Sequence, residues 1–373
     1  MRLAFISTIL GYPWGGADTL WTHAAEAAAY RGDSLLLCVS PAVAVAPRIV
    51  ALSERGARIH TRTAPAGPAR LAARLSQRLR RAVGMRDPLV AVLAAFQPDL
   101  VIISLGGTYD LLSYPALVTW LHSSRTPYCT IANWQEENPI LPEADRERAR
   151  EAFALARTVA FVSTRNLSAT RRHLLHPLSN ARVLQNPLRW TSADVAPWPV
   201  APDWRLATVS RLDLGKGIQL LLHALAQELA GERDWRLNIY GQGPAADYLH
   251  TTVAYLRLGD RVQFRGHVGN LHTIWAENHL LCSPALNDGV PMTIPEAMLC
   301  GRPALATCVG GAEDWIRPGA NGFLCPAPTL PLLADALRTA WEERDRWREL
   351  GQQAAIDARA RYKPDDYLQV IAP

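Results

Sequence analysis

The sequence predicts an α/β protein built from two doubly wound parallel sheets, and three observations carry that prediction. The chain opens with an apolar run over residues 2–10, a loop holding Gly15 and Gly16, and helical spacing over residues 18–30. Strand, glycine-rich loop and helix in that order start a doubly wound sheet. A stretch rich in proline and tryptophan over residues 187–204 then interrupts the alternation and reads as an ordered linker. Beyond it the alternation restarts, with a strand at 206–210 and a second glycine-containing loop. A length of 373 residues suits about two domains of ordinary size. Domains are therefore expected at 1–190 and 191–361, with a tail over 362–373 packing back on the first.

In the first half, strands are expected at 34–39, 58–63, 99–104, 128–132, 158–163 and 182–185. Helices are expected at 114–123, at 143–156 and through His173. Gly15 and Gly16 let the backbone approach a phosphate or a sugar. Their spacing is not G-x-G-x-x-G, so no dinucleotide fingerprint is read. Asn133 and Gln135 follow the strand at 128–132, where open sheets bind ligands. Residues 69–86 form a basic amphipathic helix, with Leu71, Leu75 and Leu79 on one face and Arg70, Arg74, Arg78 and Arg81 on a neighbouring stripe. From Arg70 to Arg86 it suits an anionic membrane surface or an acidic acceptor, and it equally suits a solvated face.

In the second half a long helix is expected at 218–230. A strand at 235–240 leads into Gly241-Gln242-Gly243-Pro244, and one at 262–265 leads into Gly266-His267. A strand at 279–283 precedes SPALNDGVPMTIPEAMLCGRP over 283–303, and a single last helix covers 330–361. Within that motif Asp288 and Glu296 stand with seven residues between them. Gly289 admits a close backbone approach, and Pro295 suits the first position of a helix. The N–H groups at a helix start favour an anion, and a carboxylate one turn into the helix suits hydroxyls. A phosphate flanked by sugar hydroxyls fits such a site, and so does an ordinary loop before a core helix.

Composition narrows the classes. Hydrophobic residues make up 49% and charged residues 20%, which describes a globular chain with ample core. Residues 1–190 carry 22 arginines against 13 carboxylates, and residues 191–373 carry 17 basic against 21 acidic side chains. The basic first half suits an anionic acceptor or membrane surface. Its arginines lack aromatic interleaving and match no nucleic-acid-binding motif, which argues against nucleic acid. Six cysteines without a CxxC pair read as buried reduced thiols of a cytoplasmic protein. The amino terminus reads as a first strand rather than a signal peptide, and no apolar run is long enough to span a membrane.

Five patterns, SRLDLGKG, IYGQGP, FRGH, SPALNDGVPMTIPEAMLCGRP and GGAEDWIRPGANG, follow one another in a consistent order. Together they resemble the retaining glycosyltransferases of the GT-B fold, in the large family four (glycosyl transferases group 1). The resemblance is strong over roughly residues 205–330. It rests in the first half on Gly15-Gly16 and the strand order. It implies two Rossmann-like domains with an interdomain cleft, the first on the acceptor side and the second binding a nucleotide sugar.

The resemblance also implies residue roles. Arg211 and Lys216 bind the donor's diphosphate and stabilise it as it leaves. Asp288 and the amides near Val290, Pro291, Met292 and Thr293 hold the donor sugar and phosphate. Glu296 accepts from the ribose hydroxyls. Gly266 and His267 resemble the segment lining the base pocket, though His267 equally suits a surface histidine, and Gly241 and Gly243 are expected among the donor-binding residues. The implied donor is a UDP-sugar or GDP-sugar, no metal is expected, and the acceptor is a hydroxyl of a glycan, lipid or small molecule. Two positions depart from the family pattern: Asp288 stands where Glu is usual, and Asn133 where His is common. Asn133 hydrogen-bonds but is no base near neutral pH. The alternatives are a catalytically weak GT-B protein that binds a nucleotide sugar, and a GT-B sugar-nucleotide epimerase. The expected location is cytoplasmic, with a peripheral place on the inner membrane face.

Overall fold

The computed structural model describes residues 1–10, 14–62, 87–137, 139–189 and 195–372. The basic stretch 69–86 lies outside the described residues, as does the loop Gly11-Tyr12-Pro13. The chain divides into two compact units: one of residues 1–187 with 364–373, the other of residues 188–363.

The first unit is a seven-stranded parallel sheet of β1 (Arg2–Ser7), β2 (Ser34–Val39), β3 (Arg58–Thr61), β4 (Leu100–Gly107), β5 (Tyr128–Trp134), β6 (Thr158–Phe161) and β7 (Ala181–Val183). Its order is β3-β2-β1-β4-β5-β6-β7, so the winding reverses between β1 and β4. β1, β2 and β4 are near-continuous apolar runs because helices cover both faces of a parallel sheet. Alternate residues serve the two faces. Ala4, Ile6, Val101 and Ile103 enter one buried cluster. Phe5 meets Trp21 of the helix Thr19–Tyr30 at 6.1 Å between rings.

The second unit holds β8 (Trp204–Val209), β9 (Trp235–Tyr240), β10 (Val262–Gly266), β11 (Leu280–Ser283), β12 (Ala304–Thr307) and β13 (Gly322–Cys325). Its order is β10-β9-β8-β11-β12-β13, all parallel, with the reversal between β8 and β11. Leu206, Leu237, Leu280 and Leu305 face a cluster with the helices Ile218–Glu228 and Leu330–Glu342. Ala207, Leu281, Ala304 and Ala306 face another cluster with Ile294 and Met298.

Two expectations are corrected. The last helix is not continuous over 330–361 but breaks into Leu330–Glu342 and Trp347–Arg361, joined through a 3-10 turn at Arg344–Arg346. No glycine or proline marks the break. It lets Trp341 and Trp347 both bury, with ring centroids 6.1 Å apart. The helix of the motif runs Thr293–Leu299, so Pro295 holds its third position rather than its first. Proline is accommodated there because the first turn's N–H groups have no partner within the helix.

The proline- and tryptophan-rich stretch is bound to the second unit by a buried arginine. Arg302 is 1% exposed, and its guanidinium donates to the carbonyls of Trp275, Asn278, Cys300, Gly301, Ala196 and Pro197. It also lies over the Trp198 ring at 5.0 Å. At the other end of the chain, Asp366–Val370 packs on Thr19–Tyr30, where Tyr367 meets His23 at 5.6 Å.

His279 provides a pH test of this unit. It is buried between Trp198 and Trp204, and its Nδ1 accepts from Arg205 N at 2.9 Å. Burial, aided by nearby Arg302 and Arg205, pushes its pKa down to about 4. The unfolded chain therefore binds the extra proton first. Stability is full above about pH 6.5 and falls as pH drops toward 4, by about 2–3 kcal/mol from this residue. Urea unfolding across that window measures the loss, and His279→Gln flattens the slope while leaving carboxylate-driven losses at lower pH.

Candidate active site

A doubly wound sheet opens a crevice at its carboxyl edge where the winding reverses. In the second unit that place lies between β8 and β11, and the loops leaving these two strands carry Arg211, Lys216 and Asp288. Asp213 organises the first loop: its Oδ1 accepts from Gly215 N at 3.0 Å and its Oδ2 from Arg211 Nη2 at 3.1 Å. That caps a single 3-10 turn, Leu214–Lys216. Lys216 Nζ then donates to Asp288 Oδ2 at 2.6 Å, and Asp288 Oδ1 accepts from Gly289 N at 2.9 Å. The lysine is 32% and the aspartate 15% exposed, so the pair is partly withdrawn from water while remaining reachable.

Glycines set how closely the loops pack. Gly217 has φ +68°, and a Cβ there would lie 1.8 Å from the Pro284 carbonyl oxygen. Beside it, Leu286 N donates to the Gly215 carbonyl at 2.8 Å. Gly241, at φ +135°, leaves no room for a Cβ against the Ser210 carbonyl, and Gly243 none against Leu212. The loop after β9 thus rests on the loop after β8. Gly310 backs the carbonyls of Asp288 and Gly289, where its Cβ would lie at 2.4 and 2.5 Å.

Glu296 sits in the helix Thr293–Leu299 and is fully buried. Its Oε1 accepts from Arg189 Nε at 3.3 Å, while Oε2 is buried without a partner among the described residues. Burial raises its pKa above the ordinary carboxylate value, against the smaller opposing pull of Arg189. Val290, Met292 and Thr293 are half-buried and Pro291 buried. His267, just past β10, is exposed. Near it a cavity of about 350 Å³ is lined by Tyr240, Phe264, Arg265, Val268, Thr273, Ile274 and Glu277, with Arg265 Nη2 bonded to Glu277 Oε2 at 2.9 Å.

The first unit holds the remaining candidates. Gly15 N donates to Asp18 Oδ2 at 3.1 Å, and a Cβ on Gly15 would meet open space. Gly16 begins the turn that leads into the first helix. Asn133 is not free to present its amide: Nδ2 donates to the Leu105 carbonyl at 2.8 Å and to Ser104 Oγ at 3.0 Å. Only its Oδ1, buried and unpartnered among the described residues, is left to accept. Gln135 Nε2 donates to His173 Nδ1 at 2.9 Å, and His173 Nε2 faces the Glu137 carbonyl at 2.7 Å.

Sequence reasoning missed three participants. Thr8 Oγ1 donates to Asp110 Oδ2 at 2.7 Å across the reversal of the first sheet, and Gly107 N donates to the same oxygen at 3.1 Å. Thr8 and Asp110 are 102 residues apart, and only the Gly106-Gly107 strand end hinted at their meeting. Arg189 is the third, separated from Glu296 by 107 residues. Among the described residues no cluster of three or more His, Cys, Asp or Glu side chains is arranged to hold a metal ion, and no described helix is long and apolar enough to cross a membrane.

Two parallel sheets that each reverse in this way define the GT-B architecture, and the chain has that fold. It aligns over its whole length, and over 98% of the partner chain, with Anabaena HepE solved in complex with UDP (TM-score 0.72, 20% identity). Residues 204–343, all within the second unit, match the family "Glycosyl transferases group 1". The alpha-D-kanosaminyltransferase of Streptomyces kanamyceticus is 26% identical over 77% of this chain and 75% of its own length. The exopolysaccharide phosphotransferase SCO2592 of Streptomyces coelicolor A3(2) is 30% identical over 39% of this chain but only 16% of its own length. For most of the curated relatives compared, the matched region spans 16% to 40% of the relative.

The loop contact is open to a direct test. Gly217→Ala forces the loops apart and strains a left-handed residue, and is expected to cost about 3 kcal/mol of stability. Gly259→Ala, where a Cβ meets nothing within 4 Å, serves as the control and stays within about 0.5 kcal/mol. Urea denaturation of both variants makes the comparison.

Proposed function

We propose that this protein is a retaining glycosyltransferase that moves a sugar from a nucleoside diphosphate sugar to a hydroxyl acceptor. The observation that carries the reading is the Lys216–Asp288 pair at 2.6 Å, beside Arg211, at the reversal of a sheet whose sequence matches group 1 glycosyltransferases. A diphosphate gains negative charge as it departs. Fixed cations at that point lower the barrier more than they tighten ground-state binding.

In this reading Lys216 exchanges Asp288 for a phosphate oxygen when the donor arrives. Arg211 supports the same diphosphate. Asp288, released from the lysine, turns to the sugar hydroxyls, with the amides from Val290 to Thr293 on the phosphate side. Glu296 receives the ribose hydroxyls on its open oxygen. The cavity by His267, with apolar Val268 and Ile274 and polar Thr273, Arg265 and Glu277, suits a nucleobase. The bond from the anomeric carbon to the phosphate oxygen breaks while the acceptor oxygen bonds on the same face. The departing phosphate takes the acceptor's proton, so no base is required of Asn133, whose amide is bound to β4. The mechanism needs no metal.

UDP-sugars are the first donors to test, because HepE was solved with UDP and with UDP-glucose. GDP-sugars come second. A glycan, lipid or small-molecule hydroxyl is the acceptor, and an anionic acceptor or membrane surface suits the basic first half.

A panel of UDP- and GDP-sugars, read for hydrolysis and for transfer with product stereochemistry, is expected to give turnover with retention for at least one donor. Absence of binding and turnover across the panel overturns the reading. With the active donor, Lys216→Ala and Arg211→Ala are expected to lower kcat at least a hundredfold, and Glu296→Gln to act mainly on KM. Small and equal losses in all three remove the leaving-group role.

A further inference from the structure

We infer that Arg189 is a positioning residue for nucleoside recognition, holding Glu296 as a carboxylate with its second oxygen open to the donor's ribose. The inference rests on the reading of Glu296 as the ribose partner. Arg189 follows the boundary between the two units and belongs to the second. Its Nε donates to Glu296 Oε1 at 3.3 Å. Its neighbour Leu188 is anchored in turn, with Leu188 N donating to Tyr362 Oη at 2.9 Å. One oxygen of a fully buried carboxylate is thereby satisfied. The other, Oε2, is buried and has no partner among the described residues.

An unpartnered oxygen in such a place is costly to the folded chain unless a ligand completes it. Both ribose hydroxyls donate well to an ionised carboxylate, which only accepts. A protonated one presents a donor of its own in their path. Protonation of Glu296 therefore decides the contact. Burial favours the neutral acid, and Arg189 is the cation that opposes it. Cys300, at the end of the same helix, also feels Glu296, but burial holds its thiol at about 12, so it stays neutral. Arg302 and Arg359 act on Cys300, and Tyr362 is committed to Leu188. Arg189 is 54% exposed, so a substitution there removes charge without opening a core cavity.

Binding of UDP, GDP and inorganic pyrophosphate is measured by titration calorimetry for the wild type, Arg189→Met and Arg189→Lys at pH 7 and pH 9. Pyrophosphate has no ribose, so it separates loss of the ribose contact from loss of the fold. Arg189→Met is expected to weaken the nucleoside diphosphate about tenfold at pH 7, with pyrophosphate unchanged. Raising the pH from 7 to 9 is expected to narrow the deficit, because higher pH favours the carboxylate that Arg189 otherwise supports, and Arg189→Lys stays close to wild type. Equal binding by wild type and Arg189→Met overturns the inference alone. So does a parallel loss of nucleotide and pyrophosphate at both pH values. A wild type that binds no nucleoside diphosphate overturns the donor reading together with this one.

Discussion

The second unit depends on one close approach: the backbone at Gly217 lies against the Pro284 carbonyl with no room for a side chain. It joins two loops that leave adjacent strands at the reversal of the sheet. The Leu286–Gly215 hydrogen bond runs beside it, and the Lys216–Asp288 pair lies one residue from it on the lysine side. Glycines 241, 243 and 310 extend the same contact outward, each backing a carbonyl of the next loop. The two loops that carry the opposite charges are thereby held together by backbone packing, and the Lys216 and Asp288 side chains pair on top of that frame.

The two units apply one plan to different chemistry. Both sheets reverse after their first strand, and both gather polar groups there. In the first, Thr8, Asp110 and the amides of Gly106 and Gly107 satisfy one another, so little is left over for a ligand. In the second, the cations are countered by carboxylates only partly withdrawn from water, and Glu296 retains an open oxygen. Among the described residues, unpartnered buried acceptors remain in both units, Asn133 Oδ1 in the first and Glu296 Oε2 in the second, which is the unit that matches the family.

Much of this was legible in the sequence because parallel strands covered on both faces read as near-continuous apolar runs. Leu35–Val39 in β2 and Leu100–Ile103 in β4 are such runs, and β4 ends on Gly106-Gly107. The cations Arg211 and Lys216 and the carboxylates Asp288 and Glu296 were marked by their loops. What local patterns do not encode is pairing at a distance. Lys216 meets Asp288 across 72 residues and Arg189 meets Glu296 across 107, and neither spacing signals contact. The break between Leu330–Glu342 and Trp347–Arg361 escaped because no glycine or proline marks it. The demand to bury two tryptophans decides it. Arg302 was unreadable for a related reason: arginine is rarely interior, and here six carbonyls rather than a carboxylate make burial tolerable.

The return of residues 364–373 to the first unit bears on how the protein is made. Val370 and Ile371 are buried, and the turn containing Val370 packs on Thr19–Tyr30. A ribosome delivers that helix early, and residues 364–373 only after the whole of the contiguous second unit. Vectorial synthesis therefore produces the domains out of order: the one begun first is finished second.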